Sequence, residues 1–306
     1  MNQPRESRQV RFPWSAASAA LVAVWTIGQI LRDRFWVSGL MFYLPAPVLS
    51  AWLVLAAWKS RGGASAGTRR LFFPVLLAGP LCFVLVIENH WQIRSPSAPV
   101  SDGSLRLVHW NICRPVLSWQ RQRDFLLRLD SDVIVLSEVT ASVRHVDFPG
   151  YTVIRLGELL VAARGPLQAS GSLVRGGAMQ AHEVRCTLES GLLRIIVGDM
   201  TSKLMLHRDP WLQPLIDVAR EREAHIVVGD MNAPRRSRAF ARLPDGFRHA
   251  YDEAGHGWSY TWPVPIPVLA IDQCICGPGI RPLKYELQST LLSDHRIQIL
   301  DFTFTR

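Results

Sequence analysis

His225-Ile226-Val227-Val228-Gly229-Asp230-Met231-Asn232 carries a short β-branched run straight into a carboxylate and a carboxamide. A run of this kind makes a buried strand, and the C-terminal edge of a strand is where a rigid sheet presents reactive groups to a cleft. Asp230 and Asn232, two residues apart, can point into one cleft as a water-orienting carboxylate and a donor to an anionic oxygen. A second stretch, Ser293-Asp294-His295, precedes the alternating strand Ile297-Gln298-Ile299-Leu300-Asp301-Phe302. Both motifs place phosphate and metal chemistry at strand ends.

Outward from these motifs the spacing predicts a layered α/β arrangement. Leu105 to Trp110 alternates and delivers Asn111 at its end. Trp119 to Leu129 sets apolar residues on one side and Arg121, Arg123, Asp124 and Arg128 on the other, as an amphipathic helix does. Asp132 to Leu136 reads as a buried strand ending at Glu138, so Glu138 and Asn111 are expected on one sheet edge. Leu159 to Ala163 and Leu192 to Val197 read as strands, Trp211 to Glu223 as a helix, and Val268 to Cys276 as a strand containing Asp272.

The chain has 306 residues, a formal charge of +9 and 48% hydrophobic residues, unevenly spread. Three uncharged runs, Phe12 to Leu31, Phe35 to Trp58 and Leu71 to Ile87, approach or exceed the roughly 20 residues that cross a bilayer, and three transmembrane helices are expected over about 12–31, 35–58 and 71–90. Pro74 and Pro80 interrupt the third, which membrane helices tolerate. Arg5, Arg8 and Arg11 precede the first run as in a signal peptide. No small-residue cleavage site follows, and Arg32-Asp33-Arg34 leads at once into the second run, so a retained anchor is expected. Comparing Arg5, Arg8, Arg11, Lys59, Arg61, Arg69 and Arg70 with Arg32, Arg34 and Arg94 puts the amino terminus in the cytoplasm. Three spans then place the remainder on the extracytoplasmic face of the plasma membrane. Trp14, Trp36, Trp58 and Trp91 sit where interfacial anchors belong. The expected division is a membrane anchor over 1–92, a linker rich in Ser, Pro, Asp and Gly over 93–104, and a globular domain over 105–306.

Cys82, Cys113, Cys186, Cys274 and Cys276 have neither zinc spacing nor a paired framework, which excludes a zinc-finger or disulfide scaffold. Cys274 and Cys276 fall on one face of one strand, poor geometry for a bridge, so core thiols are expected, while the extracytoplasmic setting permits a bridge that the sequence does not assign.

Trp110-Asn111, Ser137-Glu138, Gly229-Asp230-Met231-Asn232-Ala233-Pro234, Thr261-Trp262-Pro263, Ile271-Asp272 and Ser293-Asp294-His295 follow one another in the order of a known family. In these motifs the chain resembles the endonuclease/exonuclease/phosphatase superfamily over Leu105 to Arg306, and with its three-helix anchor it also resembles bacterial membrane proteins that carry this domain. The resemblance implies a four-layer α/β/β/α sandwich preceded by three transmembrane helices, with the site at one mouth of the two sheets. It also implies contact between Asp272 and His295.

The chemistry has its own logic. A phosphodiester is anionic and resists water, so its catalyst needs a divalent cation, a base for water and donors for developing charge. Glu138 suits Mg2+, or Mn2+ in its place, with Asn111 orienting it, joining the metal shell or donating to a phosphate oxygen, and with Asp294 as a second metal-side carboxylate or a loop acceptor. Asp230, Asn232, Asp272 and His295 make up the catalytic set, since a carboxylate that holds an imidazole in one tautomer lets it act on water or on the transition state. Where many relatives carry a histidine that donates to the scissile phosphate, this chain has Asp199, which repels phosphate unless protonated or metal-bound. His207 is the candidate to compensate. Asp199 also motivates a second reading, a degenerate domain that binds a phosphorylated ligand or protein partner without turnover. Arg235, Arg236 and Arg238 are candidates for holding a phosphate-rich substrate. The expected substrate is a phosphodiester of nucleic acid or of a phospholipid or sphingolipid headgroup, with no obligate protein partner.

Overall fold

A computed structural model of the chain describes residues 14–60, 66–90, 103–113, 119–140, 143, 147–174 and 177–305. Arg5, Arg8, Arg11, Arg61, Trp91, Arg94 and most of the expected linker lie outside the described residues.

Four helices come first: α1 (Trp14–Leu31), α2 (Trp36–Phe42), α3 (Ala46–Lys59) and α4 (Ala66–Cys82), the last running on as a π-helical stretch, Phe83–Glu88. Two are long and apolar enough to cross a membrane, Trp14–Arg34 and Leu71–Glu88; a third candidate exists only if α2 and α3, bent by 60°, count as one broken span. The second uncharged run is therefore not the single helix expected over 35–58. Its break lies at Pro45, whose ring fixes φ, removes an N–H and pushes Leu44 out of the helical region. Pro47 then stands near the start of α3, where its missing donor costs least.

The remaining elements are β1 (Leu105–Asn111), α5 (Trp119–Arg128), β2 (Val133–Ser137), β3 (Thr152–Leu156), β4 (Leu159–Ala163), β5 (Leu167–Ser172), β6 (Met179–Leu188), β7 (Gly191–Met200), α6 (Asp209–Glu221), β8 (Ile226–Asp230), β9 (Arg248–His249), α7 (Ala250–Ala254), β10 (Asp272–Cys276), β11 (Ile280–Gln288) and β12 (Ile297–Phe304). They form two six-stranded sheets, ordered β11-β12-β1-β2-β4-β3 and β5-β6-β7-β8-β10-β9.

Strand period decides the layering. Leu107, Val133, Val135 and Val161 of the first sheet meet Val184, Ile195, Val197, Ile226 and Val228 of the second in one buried core. The alternate residues Val108, Trp110, Ile134, Leu136 and Leu160 face away from it and pack with Leu126 of α5. Ile196, Val227 and Ile275 pack likewise with Leu212, Leu215 and Ile216 of α6. Strands covered on both faces need unbroken apolar runs, which explains why β2, β4 and β8 read so plainly in the sequence. Cys186, Cys274 and Cys276 are buried free thiols in the core between the sheets.

The helical segment is docked on the sandwich through polar and apolar contacts. Trp25, Ala46, Leu49, Leu53 and Val84 share a core cluster with Tyr260 and Ala270. The Asp33 carboxylate accepts the Arg238 backbone N–H at 2.8 Å, and Asn89 Oδ1 accepts the Ser259 N–H at 2.6 Å.

Candidate active site

Strand register gathers the candidate residues at one mouth. Asn111 pairs with Ser137 at the shared end of β1 and β2, which leaves Glu138 at the next position. In the other sheet Asp230 pairs with Asp199 on one side and with Asp272 on the other. The strand expected from Val268 begins only at Asp272. Leu269 is occupied before it, accepting the N–H groups of Thr261 and Trp262 through its carbonyl.

Gly198 and Gly229 lie opposite each other beneath Asp230. Gly229 has φ +152°, and a Cβ there would meet the Gly198 carbonyl oxygen at 1.8 Å. Glycine is thus required for the close approach of β7 and β8. Glu138 and Asn232 both have left-handed backbone, φ 59° and 45°. Such angles strain residues other than glycine, and Asn232 is held by its own contacts. Its N–H donates to Asp230 Oδ1 at 2.9 Å and its Nδ2 donates to the Met200 carbonyl at 2.6 Å.

Asp230, Asp272 and His295 form a buried triad whose ligand atoms lie within 4.8 Å of one another. His295 Nδ1 donates to Asp272 Oδ2 at 2.9 Å, while its Nε2 stands 3.8 Å from Asp230 Oδ2. The frame around His295 is fixed: its N–H donates to Ser293 Oγ at 3.1 Å, its carbonyl accepts Trp110 Nε1–H at 3.1 Å, and Ser293 Oγ donates to the Asn111 carbonyl at 2.7 Å. Asn111 Nδ2 donates to Asp230 Oδ2 at 2.8 Å, and its Oδ1 accepts the Cys113 N–H at 2.9 Å. The Asn111 side chain is therefore turned to Asp230 and Cys113.

The electrostatics follow from this packing. Burial pushes the Asp230 carboxyl up, and repulsion from Asp272 adds to it, to about 7. Burial alone would lower the His295 imidazole, but the Asp272 carboxylate, by charge and hydrogen bond, raises it to about 10. Burial likewise opposes ionisation of Asp272, yet His295 holds it below the usual carboxylate range. The pair is thus an imidazolium beside a carboxylate, with Asp230 poised near neutrality.

A cavity of about 480 Å³ opens over the triad, lined by Tyr43, Glu138, Arg208, Asp230, Asn232, Asp294 and His295 among others. Asp294 Oδ2 accepts Trp262 Nε1–H at 2.9 Å, whereas its Oδ1 is buried without a partner. Burial raises the Cys113 thiol to about 11, with a hydrogen bond to Asp294 and then the charges of Asp294 and Glu138 adding to it, and all three residues line the cavity. Asp199 lines a separate pocket that shares Glu138 with the first. His207 does not line the cleft; its neighbour Arg208 does. Arg235 is turned away: buried, it pairs with Glu88 at 3.4 Å and Asp252 at 3.2 Å and lies over the Tyr251 ring. Arg238 Nε pairs with Asp209 at 3.4 Å and Arg236 lies over the Phe83 ring, so this basic loop serves the packing of the helical segment.

Tyr43 and Arg208 carry no motif. The one local sign in the sequence is a cation at the start of α6, where the helix dipole disfavours it.

The family model for the endonuclease/exonuclease/phosphatase family matches residues 108–295. No curated protein matches. Among solved structures, D. rerio TDP2 complexed with single-strand DNA product is 16% identical with a TM-score of 0.54, covering 66% of this chain and 100% of that one. A functionally unknown conserved protein from Enterococcus faecalis V583 is 13% identical with a TM-score of 0.53, at 66% and 100% coverage. The Bacteroides thetaiotaomicron VPI-5482 mannosyl-6-phosphatase is 12% identical with a TM-score of 0.51, again at 66% and 100%. At these identities the likeness is one of fold.

Proposed function

The chain belongs to the endonuclease/exonuclease/phosphatase family, whose members hydrolyse phosphoester bonds, and from that premise we propose a membrane-anchored phosphodiesterase that depends on a divalent cation. The observation that carries the reading is the buried set Asp230, Asp272 and His295 at the floor of a cleft also lined by Glu138 and Asp294. In this reading Asp230, as carboxylate, takes a proton from the attacking water while Asn111 and the Asn232 N–H hold it in place. His295, kept protonated by Asp272, donates Nε2–H to a non-bridging phosphoryl oxygen as negative charge grows there. The Asn232 carboxamide is the second phosphate-side donor, released from the Met200 carbonyl when substrate arrives. Water oxygen bonds to phosphorus, the P–O bond to the leaving alkoxide breaks, and that alkoxide takes its proton from solvent.

The donor set fits a hard cation. Glu138 and Asp294, which line one cavity, would hold Mg2+ or Mn2+, with Asp294 Oδ1, buried and lacking a nitrogen or oxygen donor among the described residues, as one of its oxygen ligands. Such an ion neutralises phosphoryl charge and lowers the pKa of bound water. The ligand atoms of the triad also lie close enough together to hold an ion; in this reading the His295 Nε2–H serves the phosphate, so the ion is assigned to Glu138 and Asp294.

Anchoring through α1, the bent pair α2 and α3 as one broken span, and α4 makes three crossings, which set the amino terminus in the cytoplasm and the sandwich on the extracytoplasmic face; the apolar helices and the charge asymmetry of the sequence support this reading. The neighbouring folds act on or bind different phosphoesters, so nucleic acid and lipid headgroup both stand as substrates. The test incubates the full chain in nanodiscs with single-stranded DNA, phosphatidylglycerol vesicles and bis(4-nitrophenyl) phosphate, with Mg2+ or Mn2+ and after chelation. Cleavage of at least one that stops on chelation is expected. Metal-independent cleavage, or none from folded, metal-loaded protein, contradicts the proposal.

A further inference from the structure

Arg208 is only 3% exposed, yet it lines the cleft beside Asp230 and Asn232. Its hydrogen bonds are two weak ones, Nη1–H to the Leu206 carbonyl at 3.3 Å and Nη2–H to the Lys203 carbonyl at 3.2 Å. Among the described residues the buried Nε has no partner and no carboxylate pairs with the guanidinium. Its face lies 5.0 Å from the ring centroid of Tyr43, which belongs to the bend between α2 and α3. The Tyr43 hydroxyl donates in turn to the Asn232 carbonyl at 2.8 Å.

A buried cation without a counter-ion is costly, and native structures avoid one unless a ligand supplies the missing charge. Arginine's planar fork matches phosphoryl oxygens, and stacking on an aromatic ring fixes the plane of that fork. Among the described residues no hydrogen bond or ion pair joins the guanidinium to the triad, to Glu138 or to Asp294. Resting on the phosphodiesterase reading of this cleft, we infer that Arg208, held on Tyr43 of the helical segment, is the anion subsite that binds the substrate's phosphoryl group. One wall of the substrate site is thus built by the segment that precedes the sandwich. The same hydroxyl that supports the stack also braces the Asp230–Asn232 loop, so the helical segment touches both the anion subsite and the catalytic loop.

The experiment titrates inorganic phosphate into the full chain in nanodiscs, with dioctanoyl phosphatidylglycerol as a second arm, and follows bis(4-nitrophenyl) phosphate hydrolysis in the same samples. Arg208→Gln is expected to weaken phosphate binding at least about 30-fold and to raise KM, whereas Arg208→Lys, which keeps the charge, recovers part of the loss. Tyr43→Leu is expected to weaken binding ~3- to 10-fold. Weakening in both arms assigns the phosphoryl group to a lipid headgroup; weakening for inorganic phosphate alone assigns it to a soluble phosphoester. Weakening for the lipid alone, or a folded Arg208→Gln that binds phosphate as the wild type does, overturns the inference and leaves Arg208 a brace for its loop. Should Arg208→Gln not fold, a structure of the wild-type chain with inorganic phosphate decides: the anion is expected on the guanidinium, and an anion elsewhere in the cleft overturns the assignment. Hydrolysis by wild type with unchanged KM in Arg208→Gln sinks this inference alone, whereas phosphate bound at Arg208 without any turnover sinks the phosphodiesterase reading alone.

Discussion

Asp230 and His295 are displaced from their ordinary values in the same direction but with opposite consequences. With Asp230 near 7 and His295 near 10, the reactive combination, carboxylate plus imidazolium, exists between those values. The pH profile of kcat/KM is therefore expected to be a bell, rising to a plateau as Asp230 loses its proton and falling near 10 as His295 loses its own. A bound cation stabilises the carboxylate, so with metal the acid limb lies at or below 7. A profile that rises monotonically past pH 10 contradicts the imidazolium role. The stability sign follows from the same values. A histidine raised above its unfolded value of 6.5 stabilises the fold below that value, and this contribution is lost as pH rises through about 10. Asp230 has the same sign in a lower window: its carboxyl is raised above the unfolded value of 3.8, so stability falls as pH rises from there through about 7, because burying it charged costs stability. At this scale much of the candidate site was legible as a grouping: Asp230, Asn232, Asp272 and His295 sit at or beside strand ends, where local pattern marks them, and the fold gathers them at one mouth. Arg208 and Tyr43 were not, since their meaning comes from a stack between residues far apart in the chain. Arg235 reads as basic and free in sequence, but Glu88 and Asp252, both distant, claim it.

Among the elements, β8 carries Asp230, and its contact with β7 through Gly198 and Gly229 leaves no room for a side chain. Gly229→Ala is expected to cost on the order of 2–3 kcal/mol, read as a fall in thermal midpoint, and to reduce turnover because Asp230 is the next residue. An unchanged midpoint contradicts the packing described. The strands buried on both faces announced themselves through continuous β-branched runs. By contrast β3, β5 and β11 have faces open to solvent and mixed polar sequences, so no expectation was formed for them. The bend between α2 and α3 was hidden in an uninterrupted apolar run, where hydropathy outweighed the signal of Pro45. That bend is what places Tyr43 at the cleft.

The molecule as a whole joins an apolar helical segment to a two-sheet sandwich through a shared core and polar bridges at Asp33, Tyr43, Glu88 and Asn89. Removing residues 1–92 would uncover Tyr260 and Ala270 and strip Tyr43 from Arg208, so the excised sandwich is expected to be less stable and to bind phosphate more weakly than the full chain. Equal thermal midpoints and equal phosphate affinities would show that the helical segment is only a tether. The full chain is expected to stay with membranes through an alkaline carbonate wash if α1 and α4 cross the bilayer. The most direct measurement is kcat/KM for bis(4-nitrophenyl) phosphate by the full chain, compared among wild type, Asp230→Asn and His295→Ala, with saturating Mg2+ and after chelation. Metal-dependent turnover that falls ~100- to 10,000-fold in each variant is expected from loss of positioned proton transfer. Wild-type turnover that survives chelation, or variants as fast as wild type, would contradict the assignment of the cleft.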